Sequence, residues 1–145
     1  MGDYFSKDME KLNYLLSEID EVYHDASVRL GVSDSAMRIL YTLCIAGDRC
    51  PLCDVARLSG SSRQTIHSAA KKLVQEGIVS LEAKNGRDKL ICLTEKGSAL
   101  TKATAQRVIE IENAIFDGWE KEERKQYFRL LSKYLNELKV RVEKL

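Results

Sequence analysis

One stretch limits the fold of this chain more than any other: Val55 to Lys72, VARLSGSSRQTIHSAAKK. Its spacing predicts two short helices joined by a tight turn. Val55, Ala56 and Leu58 form the expected inner face of the first helix. Gly60 falls where the chain must bend sharply, and it takes a positive φ at little cost. Ser62 is suited to cap the next helix, its hydroxyl accepting from an orphan backbone N–H. Ile66, Ala69, Ala70 and Leu73 then continue an apolar stripe. A small residue at 56, a glycine at 60 and a branched residue at 66 let two helices cross closely and fill the gap between them. This is the helix-turn-helix layout that can set a second helix in a DNA major groove. An ordinary packed helical hairpin would carry the same stripe, so the stretch needs its surroundings.

Charge supplies part of them. The net charge of the 145 residues is only +1, but it is unevenly placed. Residues 1–30 carry three basic and seven acidic side chains, whereas residues 49–96 carry nine basic and five acidic. The positive field is confined to the segment that contains the two short helices, as phosphate binding requires. No apolar run approaches the ~18 residues of a membrane span. The N-terminal MGDYFSKDMEKL lacks a basic region ahead of an apolar core, so the expectation is a cytoplasmic protein without a signal peptide and without a membrane partner. The length is one domain's worth, and with 44% hydrophobic residues the chain can bury a core.

The rest of the chain reads as helices around one hairpin. Phe5, Met9, Leu12, Leu16, Ile19, Tyr23 and Ala26 mark a long amphipathic helix from about Tyr4 to Leu30, ended by Gly31. Its stripe exceeds what a small domain needs for its own core, so part of it is expected to meet a second chain. Ser33 caps a helix running to Ala46, and Gly47-Asp48 break it. Pro51 is placed in the first turn of the helix that ends at Leu58. The second helix of the pair should stop at Gly77. Ile78–Ala83 and Lys89–Leu93 are short, strand-like runs flanking Lys84-Asn85-Gly86-Arg87-Asp88. Asn-Gly between two such runs predicts a two-stranded hairpin, a wing whose tip carries Lys84, Arg87 and Lys89. Thr94 caps one long helix to about Phe116, with Leu100, Ala103, Val108, Ile111 and Ile115 on its apolar face. After Asp117-Gly118 a last helix carries Tyr127, Leu131, Tyr134, Leu138, Val142 and Leu145 on one stripe.

The predicted fold class is therefore mainly α with a small β-hairpin wing, a winged helix-turn-helix flanked by long dimerisation helices. This order of elements resembles the MarR family of transcription regulators. The residues that carry the resemblance are Asp54–Gly60 with Ser62–Ile66, Lys71-Lys72-Leu73 with Glu76-Gly77, and Leu93-Thr94-Glu95-Lys96-Gly97 after the wing. Element order matches over essentially the whole chain, residue detail over about positions 52–97. The resemblance implies a homodimer whose first and last helices interlock, with residues 1–30 and 97–145 serving dimerisation and 31–96 reading DNA. It also implies a pseudo-palindromic site with half-sites about 34 Å apart, repression, and a small-molecule effector or redox signal that releases the DNA. Arg87 matches the family's DNA-contacting wing arginine. The acidic residue often found two places before it is here Asn85, and Asp88 is the available substitute.

On the second helix, the face opposite Ile66 and Leu73 shows Arg63, Gln64, His67, Ser68 and Lys71. Arg and Gln at such positions can contact guanine and adenine in bidentate fashion. Ser61, Ser62 and Lys72 are placed to hold phosphates and set register. Cys50-Pro51-Leu52-Cys53 is the one motif that suggests other chemistry, since Cys-X-X-Cys at a helix start is a thiol redox arrangement. A packing role is the competing expectation, with Cys53 toward the core and Cys50 partly exposed. A thiol-disulfide protein, or a regulator switched through Cys50 and Cys53, thus stays open as the alternative function. The cysteine that hydroperoxide-sensing relatives carry in the first helix is missing here. Cys44 and Cys92, set among apolar residues, read as small core hydrophobes. Neither His24 nor His67 has partners at metal-ligand spacing, no cofactor is indicated, and no acid–base pair or nucleophile is placed for catalysis. Tyr4, Tyr14, Tyr23 and Trp119 would suit an effector pocket or a dimer core.

Overall fold

A computed structural model describes residues 6–83 and 89–145. Its contacts divide the chain into two compact units, one ending at Val108 and the other beginning at Ile109.

In the first unit, α1 (Lys7–Leu30) starts where the Ser6 hydroxyl accepts from the Met9 N–H at 3.2 Å, with Asp8 and Glu10 in the first turn. The expected start at Tyr4 lies outside the described residues. Only Ser27 of α1 is buried; Met9, Leu16, Ile19 and Tyr23 of the predicted stripe are exposed. By contrast α2 (Asp34–Ala46), capped by Ser33, is the centre of the core. Between Met37 and Leu43 it exposes Arg38 alone.

Gly47 and Asp48 both take left-handed conformations, φ 85° and 76°. They turn the chain into a short strand, β1 (Arg49–Pro51), which the sequence reading did not anticipate. Three residues are too few to show a period. Pro51 is the residue before α3 (Leu52–Ser59), in extended conformation, and the helix starts at Leu52 as the spacing predicts. Leu58, expected on the inner face of α3, is 59% exposed. Leu52, Val55 and Ala56 are the buried positions, and at ~100° per residue Leu58 sits roughly 110° round from their mean direction. Gly60, with φ 70°, makes the turn. The following α4 (Arg63–Gln75) buries Ile66, Ala70 and Leu73 and ends before Gly77.

β2 (Val79–Ala83) and β3 (Lys89–Leu93) pair antiparallel from Val79↔Leu93 to Ala83↔Lys89, and β1 pairs along the other edge of β3. The sheet has three strands in the order β1-β3-β2, not two. The tip, with Lys84 and Arg87, falls outside the described residues. Ile91 of β3 is fully buried with Ile39, Leu40, Leu43, Val55 and Ile66, so the sheet closes the core formed by α2, α3 and α4.

The helix expected from Thr94 to Phe116 is broken. α5 (Glu95–Ala103) stops at Thr104, with φ −128° and ψ −89°, and α6 (Ala105–Asp117) resumes at once. The Thr104 hydroxyl donates to the Leu100 carbonyl at 2.7 Å, and such back-bonding competes with the helix ladder. The inward face is accordingly Gly97, Thr101, Thr104, Ala105 and Val108, while Ala103, Ile111 and Ile115 are exposed. In the second unit, Phe116, Trp119, Tyr127 and Phe128 stack with ring centroids 5.2 to 6.2 Å apart. α7 (Lys121–Val142) buries no residue. Among the described residues no helix is long and apolar enough to cross a membrane.

Candidate nucleic-acid interface

The outer face of α4 is built by its own inner one. Ile66, Ala70 and Leu73 recur at helical spacing and are held against α2 and α3, which fixes the rotation of the helix. Arg63, Gln64, His67, Ser68, Lys71 and Lys72 are thereby turned to solvent. The Ser62 hydroxyl caps the helix by accepting from the Thr65 N–H at 3.2 Å and donating to the Thr65 hydroxyl at 2.8 Å. Ser61, half-buried, accepts a 2.6 Å hydrogen bond from Nη1 of Arg38. Arg38 was not among the residues singled out from the sequence. Its signal there is a single cation inside the apolar run SAMRILYTLCIA.

The other end of α4 is tied to the wing by the Thr94–Gly97 segment. The Thr94 hydroxyl lies 2.6 Å from the Gly77 carbonyl oxygen and 3.0 Å from that of Ile78, and it accepts from the Gly97 N–H at 3.0 Å. Lys96 Nζ donates to the Glu76 carbonyl at 2.8 Å, a cation on the free carbonyls at the end of α4. Gly97 faces the Ile78 carbonyl so closely that a Cβ would collide with it. One four-residue segment thus fixes α4 relative to the strand that follows.

Between α4, the start of α3 and the wing strands runs an open groove of about 520 Å³. Leu52, Ala70, Val74 and Leu81 give it an apolar floor, and Arg63, His67, Lys71 and Lys89 stand along it. Elsewhere in this unit three arginines are engaged: Arg29 with Asp25 at 2.7 Å, Arg57 with Asp54 at 3.3 Å, Arg49 with Glu82 at 3.7 Å. Among the described residues no carboxylate lies within ion-pair range of Arg63, Lys71 or Lys72. A surface that leaves its own cations without counter-charge is suited to a polyanion. Of the sequence-derived residues, Ser61, Ser62, Arg63, Gln64, His67, Ser68, Lys71, Lys72 and Lys89 all lie on α4, the turn before it or the adjoining strand; Lys84 and Arg87 are outside the described residues.

The cysteine expectation is reversed. Cys50 is buried, because strand alternation along β1 turns it inward opposite Ile91, while Cys53 in the first turn of α3 is exposed in the groove. The burial of Cys50 denies it to a protein-sized disulfide substrate. Cys92 is buried as expected, but Cys44 is only partly so; burial, and secondarily the Asp48 charge, raise its pKa. Among the described residues no three His, Cys, Asp or Glu side chains converge on a metal site. Tyr14 and Tyr23 are exposed on α1, and Trp119 belongs to the aromatic cluster of the second unit.

A three-helix core, a helix-turn-helix and a strand pair following it define a winged helix. Residues 30–89 match the model of the MarR family. The winged-helix segment is therefore similar to the MarR family. Solved structures share the fold. A MarR family regulator from Neisseria meningitidis superposes with a TM-score of 0.84 at 17% identity, covering 96% of this chain and 99% of that one. The Staphylococcus aureus MepR–DNA complex gives 0.71 at 19% identity, with 92% and 98% covered. Bordetella bronchiseptica BpsR, whose DNA binding is regulated by 6-hydroxynicotinic acid, gives 0.65 at 20% identity, with 86% and 98% covered. Among curated protein sequences none matches the chain.

Proposed function

We propose that this protein is a homodimeric, sequence-specific DNA-binding transcription regulator acting in the cytoplasm. It reads a pseudo-palindromic operator as a repressor and is released by a small-molecule effector. The observation that carries this reading is the exposed face of α4, whose Arg63, Lys71 and Lys72 have no counter-ion among the described residues, beside a groove continuous with the wing strands. Arg63 and Gln64 have the donors for base edges, and Lys72, Ser61 and Ser62 those for phosphates. The wing-tip Lys84 and Arg87 extend the same role toward an adjacent minor groove. Residues 1–30 and 97–145 serve dimerisation. The DNA complex of MepR and the ligand control of BpsR support operator binding and effector release in a protein of this fold.

The test is selection of duplexes from a random pool by the purified protein. An inverted repeat with half-sites about one helical turn apart is expected. Recovery of unrelated sequences, or of single half-sites only, would refute the dimeric, sequence-reading mode.

A further inference from the structure

We propose that Arg38 and Ser61 together form a phosphate subsite, in which α2 contributes to DNA binding a cation that no helix-turn-helix residue supplies. The inference rests on the DNA-binding reading above and adds a contact from outside it. Arg38 is the one residue between Met37 and Leu43 that leaves the core. It reaches 23 positions along the sequence to the Ser61 hydroxyl at 2.6 Å, immediately before the cap of α4. Its backbone is held from within by the Thr42 hydroxyl, which donates to the Arg38 carbonyl at 2.8 Å. Among the described residues no carboxylate neutralises it.

The chemistry follows from donor counting. A guanidinium has five N–H donors, and one is used on Ser61. A hydroxyl carries one proton and two lone pairs. Because the Ser61 oxygen already accepts from a cation, its own proton must seek another acceptor, and among the described residues none takes it. Arg38 and Ser61 thus offer several neighbouring donors and one positive charge, beside the start of the helix that Arg63 and Gln64 occupy. The ligand class that matches is a phosphodiester oxygen of the DNA backbone. Arg38 is then a register-setting contact that carries no base information itself.

The experiment is a salt titration of duplex binding by the parent, Arg38→Gln, Arg38→Lys and Ser61→Ala, with a methylphosphonate walked along the selected duplex. Each lost phosphate contact should lower the salt slope by about 0.9 per copy of the chain bound. Arg38→Gln should therefore lose that slope and roughly tenfold or more in affinity, equally for specific and random duplexes. Arg38→Lys should keep the slope. Ser61→Ala should weaken binding with the slope unchanged. One neutral methylphosphonate per half-site should weaken the parent and leave Arg38→Gln unaffected; because the modification is on the DNA, it probes the intact protein. If the parent binds but Arg38→Gln keeps its slope and its methylphosphonate sensitivity, Arg38 holds only the turn and the subsite is refuted. If the parent binds no duplex, the DNA-binding reading itself fails.

Discussion

At the scale of single residues, Arg63 and Lys72 sit on one exposed face but are expected to behave differently. Arg63→Ala should relax base preference at one position by about 1–3 kcal/mol while random duplex is bound almost as before. Lys72→Ala should weaken all duplexes alike and flatten the salt dependence. Competition binding with single-base operator variants separates the two, and equal losses on specific and random DNA for Arg63→Ala would exclude base reading by that residue. Gly97 makes a different kind of prediction. An added methyl meets the Ile78 backbone carbonyl rather than a flexible side chain. Gly97→Ala should therefore cost about 1–3 kcal/mol or more of stability, read as a fall in the thermal midpoint, despite the better helix propensity of alanine. Conformational freedom is not the reason for this glycine; the close approach is.

At the scale of elements, α1 and α2 are joined by the His24–Asp34 pair, 2.8 Å apart and exposed. The hydrogen bond and charge of Asp34, then Glu21 and Asp25, raise the His24 pKa from its ordinary 6.5, against a smaller opposing effect of desolvation. A raised folded-state value means that protonation favours the folded form. The contribution is fully present below about pH 6.5 and is lost as pH rises through the raised value. Because both groups are exposed the effect is small. His24→Gln should lower the midpoint measurably at pH 5.5 and leave it unchanged at pH 8.5; an equal loss at both would place the effect outside the ion pair. The elements also show how far local pattern reaches. Caps at Ser33, Ser62 and Thr94 were legible because side-chain-to-backbone bonds span three residues. The break at Thr104 was not, since a buried threonine in a helical run looks like any other until its hydroxyl is seen on the Leu100 carbonyl.

At the scale of the whole molecule, the largest unmet demand is apolar. Leu16, Ile19 and Tyr23 of α1, and Leu131, Tyr134 and Leu138 of α7, are exposed in the single chain. Exposed apolar faces of this extent mark interaction surfaces, and the proposed occupant is a second copy. Leu131→Glu with Leu138→Glu should convert a dimer to a monomer by sedimentation and abolish binding to an inverted repeat, with weak half-site binding retained. A parent that sediments as a monomer at micromolar concentration would overturn the dimer.

The sequence by itself determined the helix-turn-helix, the strands that flank its wing, the caps and the polar identity of α4's outer face. Each of these depends on residues a few positions apart, through helical or strand periodicity and turn chemistry. Tertiary structure alone decided the third strand, the inversion of Cys50 and Cys53, the outward turn of Leu58 and the reach of Arg38 to Ser61. These depend on partners far along the chain: β1 exists only because β3 offers it an edge, and its pairing turns Cys50 inward. Arg38 acquires a role only because the α2–α3–α4 core brings residue 61 beside it. A local pattern states what a segment can become; which of its faces meets the rest of the chain is settled by packing.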